Sequence, residues 1–130
     1  MNLNINKNEP VMVTGATGFV ASWLVKKLLD SGITVHAAVR NPEDASKIAH
    51  LKNLENKTSG KINFFKADLL EEGSYLKAME GCTVVFHTAS PFNFKVTDSQ
   101  SGFVDPALKG TRNVLDSVNK TESVKRVVLT

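Results

Sequence analysis

Short apolar runs alternate along this chain with segments in which apolar residues recur every three or four positions. The apolar runs predict five strands, at about residues 10–14, 33–39, 61–66, 82–87 and from 124 onward. The periodic segments between them predict four helices. Because strand and helix alternate throughout, the pattern favours an α/β fold with a doubly wound parallel sheet, right-handed crossovers and the strand order 3-2-1-4-5.

The first predicted strand runs directly into a glycine turn and a helix, with the spacing Gly15-x-x-Gly18-x-x-Ala21. Gly15 suits a tight turn, Gly18 leaves room for a pyrophosphate, and the small Ala21 lets the helix pack close to the strand. Free backbone N–H groups and the positive end of the helix dipole then face the phosphates. This context predicts a Rossmann-type dinucleotide site, with an ordinary strand-to-helix turn as the alternative. A P-loop is excluded because no Gly-Lys-Ser/Thr follows at the required spacing.

The helix expected at about residues 18–31 has apolar side chains at helical spacing, which predict the face that packs on the sheet. That face is formed by Val20, Trp23 or Leu24, and Leu28. Lysines and an aspartate occupy the opposite face.

The composition is that of a soluble globular domain and excludes several classes of function. The chain has 130 residues and a formal net charge of +3, and its scattered lysines lack the interleaved aromatic residues of a nucleic-acid platform. The single cysteine, Cys82, excludes an internal disulfide and a cysteine-based metal cluster, and we expect it to be a buried small hydrophobe. No segment reaches the roughly 18 apolar residues of a membrane helix, and the N-terminus lacks the apolar core of a signal peptide. We therefore expect a cytoplasmic protein without a nucleic-acid, membrane or metal partner.

The residues that follow the second predicted strand indicate which cofactor fits. A carboxylate there would bind both hydroxyls of the adenosine ribose, as NAD prefers, and would repel a 2′-phosphate. The chain instead has Arg40, and its first carboxylate after this strand is Glu43. Lys47, further along, would add a second cation. This pattern favours NADP; the other interpretation of Arg40 and Lys47 is an ordinary surface charge.

Two further strand ends carry residues suited to a dinucleotide. Asp68 follows the third strand, where a carboxylate can accept a hydrogen bond from the exocyclic amine of adenine. The alternative is that Asp68 only caps a turn. Thr88, Ala89 and Ser90 leave the fourth strand beside the first, where small residues let the backbone pass under the ribose and nicotinamide. His87 ends that strand, and we interpret it as structural rather than catalytic.

These motifs together resemble the opening of the extended short-chain dehydrogenase/reductases, in particular the dihydroflavonol 4-reductase and cinnamoyl-CoA reductase group. The resemblance covers nearly the whole chain after its first residues, and each motif stands in the group's order and approximate spacing. The motifs are Thr14 to Leu24, Val39 to Pro42, Ala67 to Leu69, Glu80 to Cys82, Val85 to Pro91, and Lys109 to Leu115. Each motif alone is weak, whereas their combination is specific.

The resemblance implies an NADPH-dependent reduction of an aldehyde or ketone, with a small carbonyl compound as substrate. The implied cofactor site has four parts, for the pyrophosphate, the 2′-phosphate, the adenine and the nicotinamide. The pyrophosphate part comprises Thr17, Gly18, Phe19 and Val20, after the turn at Gly15, and the 2′-phosphate part comprises Arg40 and Lys47. The adenine part comprises Asp68 and Leu69, and the nicotinamide part comprises Thr88, Ala89 and Ser90.

In this group a tyrosine protonates the carbonyl oxygen, a lysine four residues later lowers the pKa of that tyrosine, and a serine or threonine polarises the carbonyl. The only tyrosine here, Tyr75, is followed four positions later by Met79, so we predict that it is not the proton donor. The serine or threonine of the group follows strand five, close to Thr130. We therefore expect residues 1–9 to be a flexible lead-in and residues 10–130 to be the NADP-binding domain of a longer reductase, truncated after strand five, with its catalytic residues beyond Thr130.

Two other interpretations keep the same nucleotide loop. A sugar-nucleotide epimerase or dehydratase of the same superfamily would share it, although Arg40 and the segment 87–91 favour the reductase. A non-catalytic NADP-sensing protein would bind the cofactor and do no chemistry.

Overall fold

The structure is a computed structural model that describes residues 9–88 and 105–129, so that residues 1–8 of the expected lead-in lie outside it. Within the described ranges, strands and helices alternate as the sequence predicts. The elements are β1 (Val11–Thr14), α1 (Phe19–Asp30), β2 (Thr34–Val39), α2 (Ala45–Lys57), β3 (Lys61–Lys66), α3 (Leu76–Met79), β4 (Val84–His87), α4 (Asp105–Asn119) and β5 (Arg126–Leu129).

The five strands of the described part form one parallel sheet in the order β3-β2-β1-β4-β5, which confirms the predicted order. β1 lies at the centre, between β2 and β4, and all of its residues are buried. A strand covered on both faces is apolar along nearly its whole length, which explains why the run Val11–Val13 predicts this strand correctly; the buried Thr14 at its end is polar.

Alternate residues of β1 point to opposite faces of the sheet and enter two separate cores. Val11 and Val13 pack with Val25 of α1 and other residues of α1 and α2. Met12 packs on the other face, with Val114 of α4 and residues of α3. The sheet is therefore covered by helices on both sides, which is the doubly wound arrangement.

The face that α1 turns to the sheet agrees with the predicted one at Leu28, and Leu24 is partly buried against the core, but it differs at Val20 and Trp23. Ala21, Val25 and Leu28 are buried, whereas Val20 and Trp23 are 63% and 58% exposed. The small Ala21 lets the helix approach the sheet closely, and the side chains four and seven positions later follow it onto the same face. The face of α1 that periodicity and side-chain size predict is therefore rotated from the observed buried face by about one residue.

β4 and β5 begin two residues later than the apolar runs predict. The N–H of Cys82 donates to the carbonyl of Met79 at 2.8 Å, and the N–H of Val124 donates to the carbonyl of Thr121 at 3.2 Å. Both residues therefore close turns before the strands start. Cys82 is buried, as predicted, and this burial raises the pKa of its thiol to about 12, which disfavours the reactive thiolate.

Candidate nucleotide-binding site

The carboxyl ends of β1 to β4 meet at one edge of the sheet, and the predicted site residues follow them. Thr14 pairs with Ala38 of β2 and with His87 of β4, and Val39 pairs with Lys66 of β3. From β1 to β3 the chain adds strands toward one edge of the sheet, and with β4 and β5 it adds them toward the other edge. The loops after β1 and β4 therefore flank the point at which this direction reverses. Open α/β sheets bind ligands in this crevice.

The loop after β1 is a tight turn that leads into α1. Gly15 has a φ of +62°, in the left-handed region, and its carbonyl accepts the N–H of Gly18 at 2.9 Å. Gly18 is the N-cap of α1, and no described side chain caps this helix end. Because the first N–H groups of a helix have no carbonyl partner within it, they carry the positive end of the helix dipole. The turn thus presents an uncapped helix N-terminus, which is a favourable position for an anion.

The residues predicted to line the pyrophosphate lie together on an open surface at this helix end. Gly18 is exposed, Phe19 is 82% exposed and Thr17 is half-buried. A Cβ at Gly18 would lie 3.2 Å from the carbonyl oxygen of Gly15, which is closer than ordinary van der Waals contact. The missing side chain therefore keeps the backbone of the turn accessible, as a bound diphosphate requires.

A hydrogen-bonded junction joins the ends of β1 and β4 beside this turn. Thr14 Oγ1 lies 2.8 Å from His87 Nδ1 and accepts the backbone N–H of Thr88 at 3.0 Å. The Thr88 hydroxyl donates to the Thr14 carbonyl at 2.5 Å. Thr14 and His87 are buried, and burial lowers the pKa of the His87 imidazole, which favours the neutral ring. His87 is thus part of the scaffold, in agreement with the structural role that we predict for it.

The two cations predicted to bind a 2′-phosphate follow β2. Arg40 is exposed directly after the strand, and β2 is the immediate neighbour of β1. Lys47 lies in the first turn of α2, but its side chain is outside those that the structure describes. Asp44 caps α2 by accepting the N–H of Ser46 at 3.2 Å. Since this helix end already has an acidic cap, α1 offers the better helix N-terminus for a phosphate.

Asp68 is half-buried just after β3, and its Oδ1 accepts the N–H of Leu70 at 2.9 Å. The carboxylate therefore does close a turn, which was the alternative interpretation of this residue, while its second oxygen offers further acceptor capacity to a ligand. Leu69 is buried, and a Cβ on Gly110 of α4 would lie 2.9 Å from Leu69 Cδ2. The Leu69 side chain thus packs against α4. The backbone of Leu69 is the part of this residue that is suited to a ligand.

The Asp68 segment is held in place by a buried residue for which the sequence predicts no role. Asn113 of α4 is 6% exposed, and its partners are the carbonyls of Asp68, Leu69 and Glu71 and the N–H of Gly73. Its Nδ2 donates to the three carbonyls at 2.8 to 3.3 Å, and its Oδ1 accepts from Gly73 at 3.0 Å. The available signal in the sequence was a polar amide directly before a valine that helical spacing already predicts to be buried.

Arg40 and Asp68 act electrostatically on the same buried group, the hydroxyl of Tyr75. Burial raises the pKa of Tyr75, the charge of Asp68 raises it further, and the charge of Arg40 lowers it. The structure therefore brings these two predicted site residues into one neighbourhood. A raised pKa is the opposite of what a lysine-assisted proton donor needs, so the burial of Tyr75 agrees with its exclusion from catalysis.

The remaining predicted site residues are Ala89 and Ser90, which lie outside the described residues, and Thr88, which is half-buried at the end of β4. Among the residues that the structure describes, no group of three or more His, Cys, Asp and Glu could hold a metal ion. No helix in this part is both long and apolar enough to span a membrane.

Comparison with known proteins places these features in a family context. Residues 11–130 match the NAD dependent epimerase/dehydratase family. The chain is 53% identical over 125 residues to a cinnamoyl-CoA reductase from Medicago truncatula, covering 96% of this chain and 38% of that protein. It is 42% identical over 124 residues to a dihydroflavonol 4-reductase from Solanum lycopersicum, covering 95% of this chain and 32% of that protein.

Solved structures resemble the chain over a similar length. Gre2 from Candida albicans, in complex with NADPH, superimposes with a TM-score of 0.77 at 33% identity, over 93% of this chain and 36% of Gre2. Vestitone reductase from alfalfa (Medicago sativa) superimposes with a TM-score of 0.71 at 35% identity, over 93% of this chain and 35% of that enzyme. The chain thus spans 32% to 38% of the length of these relatives.

Proposed function

The chain belongs to the NAD dependent epimerase/dehydratase family, and we propose that it is the NADP-binding part of an oxidoreductase that reduces the carbonyl group of an aldehyde or ketone. The observation that carries the proposal is the uncapped N-terminus of α1, one strand away from the exposed Arg40. Relatives that are named as a cinnamoyl-CoA reductase and a dihydroflavonol 4-reductase, and a similar structure in complex with NADPH, support it.

In this proposal the pyrophosphate binds at the turn after β1, to Gly15, Thr17, Gly18, Phe19 and Val20. Backbone N–H groups at the start of α1 donate to the phosphate oxygens, and the helix dipole adds a favourable potential. The open backbone at Gly18 fits such a ligand. Since a backbone cradle binds the phosphates of either dinucleotide, it does not choose between NAD and NADP.

Arg40 and Lys47 make that choice. A guanidinium can bind a 2′-phosphate through two parallel hydrogen bonds, whereas a carboxylate at the same strand end would repel it. The exposure of Arg40 leaves the guanidinium accessible to a ligand that lies along this edge of the sheet. Lys47 adds a second positive charge from the first turn of α2.

The other two parts of the site hold the ends of the cofactor. Asp68 accepts a hydrogen bond from the exocyclic amine of adenine, and Leu69 borders the base with its backbone. Thr88, Ala89 and Ser90, which follow β4 in the chain, border the nicotinamide side. The chemistry that bound NADPH supplies is a hydride transfer to a carbonyl carbon.

We assign residues 10–130 to one nucleotide-binding unit, preceded by the lead-in 1–9, and place the catalytic residues of the full-length protein after Thr130. The length of the relatives supports this assignment, because the chain spans 38% of the cinnamoyl-CoA reductase that it resembles. The state of Tyr75 supports it as well, since a buried phenol with a raised pKa is poorly placed to protonate a substrate.

The substrate in this proposal is a small carbonyl compound, and the compartment is the cytoplasm. The names of the relatives, a cinnamoyl-CoA reductase and a dihydroflavonol 4-reductase, support a small-molecule substrate. A single, buried cysteine fits a reducing compartment, in which disulfides do not contribute to stability.

The test is to mix the full-length protein with NADPH and a panel of aldehydes and ketones, and to follow NADPH oxidation. Oxidation that depends on the carbonyl compound supports the reductase. Turnover of a nucleotide sugar without net consumption of NADPH would favour the epimerase instead. Tight NADPH binding with no turnover of any carbonyl compound would refute the reductase and favour a cofactor sensor.

A further inference from the structure

We infer that Asn113 is a positioning residue for adenine recognition, because it fixes the segment from Asp68 to Gly73 and so sets the direction of the Asp68 carboxylate. The inference rests on the proposed function, since it requires that Asp68 contacts the adenine of NADPH. Asn113 itself is buried, its side chain bonds to the backbone of this segment, and it acts through Asp68.

The amide of Asn113 is shared among backbone groups of one short segment. Nδ2 donates to the carbonyls of Asp68, Leu69 and Glu71, and Oδ1 accepts the N–H of Gly73. A side-chain amide has two N–H donors, which the three carbonyls share, and one acceptor oxygen, so these contacts use both of its ends. Because the amide is 6% exposed, its removal would leave backbone groups of the segment without that partner in a site that water reaches poorly.

A second side chain holds Asp68 at its own backbone. Ser74 Oγ accepts the N–H of Asp68 at 3.0 Å and donates to the Asp68 carbonyl at 2.8 Å. The Asp68 carboxylate is in turn oriented by the N–H of Leu70. The direction of the carboxylate therefore follows from the path of the backbone, and the path of the backbone follows from Asn113 and Ser74.

Because α4 packs closely against this segment, the short side chain of Asn113 can reach it. Gly110 lies about one helical turn before Asn113, and a Cβ on it would lie 2.9 Å from Leu69 Cδ2. A larger residue at Gly110 would require the Leu69 side chain or α4 to move. Gly110 and Asn113 thus form one contact surface, through which a helix near the end of the chain sets the geometry of a loop some 40 residues earlier.

The experiment compares NADPH with its reduced hypoxanthine analogue, which lacks the exocyclic amine that Asp68 would recognise. Dissociation constants are measured in the full-length protein for the unsubstituted chain, Asn113→Ala, and Val114→Ala. Val114 is the matched control, since it is fully buried in the same helix but makes no hydrogen bond to the segment through its side chain. Asp68→Asn gives the reference for a lost carboxylate, and Ser74→Ala is a milder second variant should Asn113→Ala fail to fold.

We expect the unsubstituted protein to prefer NADPH over the analogue by about tenfold or more, as for a hydrogen bond to a charged acceptor. Asn113→Ala or Ser74→Ala should lower this preference toward that of Asp68→Asn, whereas Val114→Ala should leave it unchanged. Amide hydrogen exchange of the segment 68–73 should speed up in Asn113→Ala more than in Val114→Ala.

Each alternative result has a distinct meaning. An unchanged preference in both Asn113→Ala and Ser74→Ala, with NADPH still bound, overturns this inference and leaves the proposed function intact. Equal exchange of the segment in Asn113→Ala and Val114→Ala also overturns it. A complete lack of NADPH binding by the unsubstituted protein overturns the proposed function, and the inference with it.

Discussion

Removal of the Arg40 guanidinium should weaken NADPH binding while leaving NADH binding nearly unchanged, and so reduce the preference for NADPH. Arg40 is the exposed cation at the carboxyl end of β2, next to the strand that carries the glycine turn. The two cofactors differ only in the 2′-phosphate, so a group that binds this phosphate affects one of them and not the other. Arg40→Ala therefore measures how much the guanidinium contributes to the preference for NADP over NAD, with Lys47 still present.

The size of the effect follows from the exposure of Arg40. Opposite unit charges 4 Å apart attract by about 1 kcal/mol in water and about 4 kcal/mol near a protein surface, and hydrogen bonds to charged groups contribute about 1.5 to 3 kcal/mol. For a solvent-exposed guanidinium we expect a loss of about 1 to 3 kcal/mol, which is a roughly fivefold to 150-fold weaker affinity for NADPH. NADH binding should change by no more than about twofold, as for a neutral surface substitution.

The assay is calorimetric titration of the full-length protein with each cofactor at low and at high salt. Lys61→Ala is the matched control, because it removes the same charge from the amino end of β3. Lys61 lies five residues before Lys66, so about 17 Å of strand separates it from the site, which is beyond a Debye length of about 8 to 10 Å. High salt should reduce the difference in NADPH affinity between the unsubstituted protein and Arg40→Ala, because it screens the charge of the guanidinium. Equal losses for NADPH and NADH would refute the assignment of Arg40 to the 2′-phosphate.

Three further predictions concern the turn, the isolated chain and the junction between β1 and β4. Gly18→Val should abolish cofactor binding in a fluorescence titration, because the side chain fills the phosphate space. The circular dichroism spectrum should be kept, because a φ of −71° suits any residue and the 3.2 Å approach of a Cβ to the Gly15 carbonyl requires only a small local shift. Retained tight binding would place the phosphates elsewhere. The 130-residue chain alone should show no NADPH oxidation with carbonyl compounds, and should self-associate in sedimentation experiments, because Val127, Val128 and Leu129 of the edge strand β5 are at most half-buried. A stable monomer would contradict the edge argument, and measurable turnover would require an unidentified proton donor. Since burial lowers the pKa of His87, the unfolded state binds its proton first as the pH falls, so this histidine should cost stability as the pH falls below about 6.5. In chemical unfolding, His87→Gln should therefore lose less stability than the unsubstituted chain as the pH falls below that value.

The sheet and its order were predictable because each strand signal was local. β1 is buried on both faces and reads as an unbroken apolar run, and each following strand is separated from the last by one helix or short helical segment. The handedness of parallel crossovers then leaves few arrangements of five strands. The glycine turn was equally local, since the positive φ of Gly15 and the open backbone at Gly18 are properties of a few consecutive residues.

The parts that sequence reasoning missed depend on distances between elements. The rotation of α1 is set by how closely Ala21 approaches the sheet, and it leaves Val20 and Trp23 in solvent despite their apolar character. The role of Asn113 depends on carbonyl groups more than 40 residues earlier in the chain, which no periodicity reveals. Local patterns identify the residue types that a site needs. They do not identify the core residues that fix the position of those site residues.

The two buried networks at this edge have the same physical purpose, which is to fix loops whose proposed ligand contacts are backbone groups and a short carboxylate. Thr14 ties the end of β1 to the end of β4, and Asn113 ties the segment after β3 to α4. A backbone N–H or a short carboxylate cannot adjust its position as a long side chain can, so its geometry must come from the scaffold. Substitutions at these two buried residues should therefore weaken cofactor binding through loop geometry, although neither side chain needs to contact the cofactor.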